Sequence, residues 1–61
     1  MEDYRVFARA AYAEPLELKG SVRAAGDAAA ADQALRRFGP DWVELVLLPE
    51  RAIHWVLRGD G

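Results

Sequence analysis

The chain has no cysteine, a single histidine, a single methionine and three prolines in 61 residues. Without cysteine there is no disulfide and no thiolate metal site, and one histidine with no cysteine falls short of a zinc ligand set. The carboxylates Asp27, Asp32, Asp41 and Glu44 show no ligand spacing of their own. The sequence therefore predicts no metal and no cofactor. Basic runs are also missing: beyond the pair Arg36-Arg37 every cation is interleaved with acids, and the formal charge is -2. A phosphate backbone takes a cationic stripe, so nucleic acid is disfavoured as a partner. No apolar run approaches the roughly 20 residues that cross a bilayer, and the acidic opening "MEDYRVF" lacks the apolar core of an export signal. These absences predict a soluble, cytoplasmic protein with no membrane partner.

At 61 residues the chain is at most one domain, taken as residues 1–61 with 59–61 as a frayed tail. A domain of this size buries only about 60% of its unfolded surface, and with no staple available the remaining source of stability is a partner chain. A homodimer is expected.

What is present alternates. "YRVFARA", Tyr4 to Ala10, puts Tyr4, Val6 and Ala8 on one face and Arg5, Phe7 and Arg9 on the other, as a strand does. After a connection ending in Pro15, the stretch Leu16 to Ala24 alternates again and is expected to pair with the first strand as an antiparallel hairpin. Gly20 interrupts it. A glycine inside a strand marks a bulge or a close backbone approach, and a bulge is favoured here, with Leu18, Val22 and Ala24 facing the helix.

At Gly26-Asp27 the period changes to about 3.6. Asp27 is read as the N-cap of a helix whose apolar stripe is Ala28, Ala31, Ala34, Leu35 and Phe38. Asp32 and Arg36 form a favourable i,i+4 pair, and Gly39-Pro40 ends the helix. "WVELVLL", Trp42 to Leu48, has Glu44 as its one polar residue, the pattern of a strand covered on both faces. A turn at Pro49 to Arg51 leads to "AIHWVLR", Ala52 to Arg58, which alternates as a fourth strand. The expected fold is α+β: a small four-stranded antiparallel sheet in the order β-β-α-β-β, one helix on one face, and an exposed second face that calls for a dimer or another partner.

Chemistry is sparse. His54 lacks companions and reads as a half-exposed strand or interface histidine; as a base it would pair with a carboxylate such as Glu44 across the last hairpin. "GSVRAAG" is too loose for a phosphate loop. Arg5 and Arg9 around Phe7 could form an RNA platform, but a cross-strand ion-pair ladder with Glu17 is the simpler reading. Trp42 and Trp55 read as core or interface anchors. No catalytic residue is assigned, and the candidate interface residues are Phe7, Arg9, Trp42, Leu45, Leu47 and Trp55.

"YRVFARA", "PLELKGSVRAAGDAAAADQAL" and "DWVELVLLPERAI" together resemble the PaaB family, the small subunit of bacterial phenylacetyl-CoA epoxidase. Tyr4, Val6, Phe7 and Arg9 match its first motif; Gly20, Ser21, Val22 and Ala24 match the second, with Asp27 one residue later than the family's aspartate; Trp42 and Val43 match the third. The resemblance implies a non-catalytic structural subunit in phenylacetate degradation that associates with itself and with the di-iron oxygenase and scaffold subunits. Two alternatives stay open: a stand-alone homodimeric module binding a peptide or small ligand, and a small dimeric enzyme using His54.

Overall fold

The computed structural model describes residues 1–56. Three strands, one helix and a closing 3-10 turn follow one another as β1 (Glu2–Arg9), β2 (Glu17–Ala24), α1 (Asp27–Phe38), β3 (Glu44–Pro49) and the turn Glu50–Ala52. The sheet order is β2-β1-β3, antiparallel throughout, with α1 covering one face. The fold is a small α+β layer with β1 in the middle of the sheet. Tyr4, Val6 and Ala8 are buried there, with Val22 and Ala24 of β2 and Ala30 and Ala34 of α1. Phe38, Leu45 and Leu47 close the margins of this core.

The expected four-stranded sheet is not formed. Pro49 ends β3, and Glu50 to Ala52 wind into a 3-10 turn closed by Ile53 N–H donating to Glu50 O at 3.1 Å. Arg51 Nη1 then donates to Glu2 Oε1 at 2.8 Å, which pins the turn beside the start of β1 instead of letting the chain run back along β3. Ile53 to Val56 carry no strand, so the described part of the expected fourth strand does not form one. Leu57 and Arg58, like the tail expected to fray at 59–61, lie outside the described residues.

The helix rotates away from the expected stripe. Ala30 and Ala34 are buried, Ala31 and Phe38 are half-buried, and Ala28 and Leu35 are exposed. A run of alanines from 28 to 31 offers no contrast that could set the phase, so larger groups at the two ends set it. At the start, Tyr4 Oη donates to Asp27 Oδ1 at 2.9 Å. Asp27 is therefore the first helical residue and Gly26 the N-cap, without a side-chain cap bond. At the other end, Phe38 lies against Gly20. Gly39 adopts φ +88°, a conformation glycine alone takes easily, and its N–H donates to Leu35 O at 2.9 Å to close the helix.

Gly20 combines both readings of a strand glycine. A Cβ there would stand 2.8 Å from Phe38 Cζ, so the absence of a side chain is what lets the last turn of α1 lie on the sheet. The pairing with β1 also shifts between Val6 and Phe7: Val6 pairs with Gly20 and Phe7 with Leu18, leaving Lys19 as the extra residue of a bulge. Directly opposed residues share a face, so the bulge turns Leu18 away from α1 and onto the face of Phe7. That placement reverses the expected helix-facing position of Leu18. Lys19 is carried over Trp42, its Nζ 5.2 Å from the ring centre.

Candidate interaction face

The sheet face opposite α1 is built by cross-strand registry. Four rows run across it, set by Asp3, Arg5, Phe7 and Arg9 of the central strand. In the first, Asp3 stands opposite Arg23, with Oδ1 3.6 Å from Arg23 Nε. In the second, Arg5 lies between Ser21 and Leu48, and its guanidinium stacks 5.1 Å from the centre of the Trp55 ring. The third row is apolar from edge to edge: Leu18, Phe7 and Val46. In the fourth, Arg9 pairs with Glu44, its Nε donating to Oε1 at 2.6 Å, and its guanidinium also lies 5.7 Å from the Tyr12 ring centre.

An apolar centre between charged ends is the anatomy of a protein-binding patch. Leu18 is 54% exposed, Val46 36% and Trp55 41%, while Phe7 between them is half-buried. The charged rows are neutralised internally: Arg23 by Asp3 and Arg9 by Glu44. Arg5, in the second row, is engaged by the Trp55 ring.

The expected interface residues divide between the two sides of the sheet. Phe7, Arg9 and Trp55 belong to the open face. Leu45 and Leu47 stand opposite Ala8 and Val6 and pack toward the core under α1. Trp42 sits before β3, with Nε1–H donating to Phe38 O at 3.1 Å, so it caps the helix end and β3 starts two residues later than the sequence suggests. Leu18 and Val46 were missed. The signal for Val46 was its parity with Glu44, whose polar side chain marks the outward face of β3; for Leu18 the bulge at Lys19 hides the parity. The ion-pair partner of Arg9 is Glu44, whereas Glu17 pairs with Lys19 at 3.1 Å.

An open cleft of about 530 Å³ runs between the outer edge of β2 and α1. Each cation lining it is engaged: Arg23 by Asp3, Arg36 by Asp32 at 2.9 Å, and Arg37 by Ser21 O at 2.8 Å. His54 is exposed. Glu44 stands at the opposite end of β3 and is held by Arg9, and the hairpin that would bring it to His54 is not formed. Among the described residues no group of three or more His, Cys, Asp or Glu is arranged to hold a metal, and no helix is long and apolar enough to cross a membrane. Tyr4 has a clearly perturbed titration. Burial pushes its hydroxyl above the usual tyrosine range, and the bond to Asp27 adds to the shift.

No protein-family model matches the chain, no curated protein matches it, and no solved structure matches it.

Proposed function

We propose that this protein is a non-catalytic interaction subunit of the cytoplasm that works through its open sheet face. The observation that carries the reading is the continuous row Leu18, Phe7 and Val46, flanked by the Arg5–Trp55 stack and closed by ion-paired rows at both ends. Apolar side chains placed contiguously outside a sheet lose their exposure cost when a partner covers them, and an aromatic beside an arginine is the usual composition of a binding hot spot.

The resemblance to the PaaB family names the partner class: the di-iron oxygenase and scaffold subunits that epoxidise the ring of phenylacetyl-CoA. In that assembly this chain supplies contacts and leaves the chemistry to its partners. Its motif residues have structural duties that fit such a role. Tyr4, Val6, Val22 and Ala24 belong to the core, Gly20 admits Phe38, and Phe7 and Arg9 face outward. Co-purification of the full chain with the oxygenase and scaffold subunits tests the reading. Association of the native chain, lost in Leu18→Asp while the fold is retained, is the expected result; failure of the native chain to associate contradicts it.

A further inference from the structure

The two edges of the sheet are treated differently. Along β2 the outward carbonyls are occupied from α1: Arg37 Nη1 donates to Ser21 O at 2.8 Å and Gln33 Nε2 to Arg23 O at 2.9 Å. Along β3 no strand pairs with the outer edge among the described residues, and no side chain of the helix reaches its backbone. Exposed edges are normally blunted by lysine, by inward charge or by cover, because their free N–H and C=O groups template another strand. The single charge of β3, Glu44, is engaged by Arg9, and the remaining residues Leu45 to Leu48 are apolar.

We propose that β3 pairs with β3 of a second copy of this chain, antiparallel and centred on Val46, to make a continuous six-stranded sheet. Antiparallel strands related by a two-fold axis keep the faces of the two sheets matched only if the axis passes midway between the two copies of one residue, since directly opposed side chains share a face. Charge selects among the possible centres. Centring on Leu47 sets Glu44 opposite Glu50 of the partner subunit, a like-charge pair. Centring on Leu45 brings the two Glu44 side chains within two positions of each other along the ladder. Centring on Val46 sets them four positions apart, about 13 Å along the strands. It also leaves Pro49, which has no N–H to donate, outside the ladder.

This pairing places both helices on one side and joins the two open faces on the other. Val46 meets Val46 of the partner subunit, so the apolar row runs without a break from Leu18 of one copy through both Phe7 rings to Leu18 of the other. The interaction face proposed above doubles in width. The edge pairing stands apart from the identity of whatever covers that face.

The native chain has no cysteine, which makes a single-cysteine scan clean. Opposed antiparallel residues have Cα atoms about 4.5–5.5 Å apart, within the reach of a disulfide. The full chain is expected to show a dimer mass by light scattering, and Val46→Cys is expected to oxidise to a covalent dimer while Leu18→Cys stays largely monomeric on a non-reducing gel. Val46→Lys and Val46→Glu should each be monomeric, and mixing them should restore a dimer, which separates a lost contact from a lost fold. A monomeric native chain, or equal crosslinking at positions 46 and 18, overturns the pairing. A monomer that still captures the oxygenase subunits overturns the edge and leaves the face reading intact; a dimer that captures nothing does the reverse.

Discussion

Gly20 is where one residue decides how close two elements come. Any side chain there must displace the Phe38 ring, which stands 2.8 Å from the position of a Cβ. Gly20→Ala is expected to lower stability by about 1 kcal/mol in urea unfolding, the low end of overpacking costs, because the ring tip can yield part of the distance. Combining it with Phe38→Ala should remove the clash component, so the pair of substitutions costs less than the sum of the two. Tyr4 is the second decisive residue, buried and donating to Asp27. Its hydroxyl titrates above the ordinary value of 10.0. The folded state therefore holds that proton more tightly than the unfolded state does. The resulting stability is complete below the unfolded tyrosine value and falls as the pH rises above it toward the folded value. Tyr4→Phe should be less stable at neutral pH and should lose part of the alkaline decline, read from thermal unfolding across that range.

At the scale of elements, the strands, the hairpin and the helix were legible because their periods are clean. Tyr4, Val6 and Ala8 alternate with Arg5, Phe7 and Arg9, and no competing pattern exists in that stretch. Three features were not legible, each for a physical reason. The bulge expected at Gly20 is present, but its effect on parity could not be read: Lys19 is the extra residue, so Leu18 reads as core and lies outside. The alanines from 28 to 31 leave the helix phase undetermined, and it is set by Tyr4 on Asp27 and Phe38 on Gly20, contacts made across the fold. The apparent fourth strand failed because Arg51 finds Glu2 and Trp55 finds Arg5, and neither partner can be read from alternation. Small residues also make the helix–sheet contact intolerant of volume. Ala30 and Ala34 are fully buried, so Ala34→Leu is expected to cost about 1–3 kcal/mol by forcing α1 off the sheet. Exposed Ala28→Leu, on the same helix, should be near neutral.

Among the described residues the molecule is a one-sided layer, closed by α1 on one face and apolar in the middle of the other. The face that a larger protein would cover with a second helix is here bordered by ion pairs and set with Leu18, Phe7, Val46 and Trp55. A chain of 61 residues has little core to spare for such a surface unless a partner covers it. Binding through this face is read by the affinity of the full chain for the proposed oxygenase and scaffold partners, compared between the native chain and Leu18→Asp. Leu18 is 54% exposed, so the substitution leaves the core untouched and the melting temperature should stay close to native. Affinity is expected to fall by about 30-fold or more in Leu18→Asp, the loss expected when a charge enters a desolvated hot spot. Equal affinity of the two chains, with the fold intact in both, would contradict it.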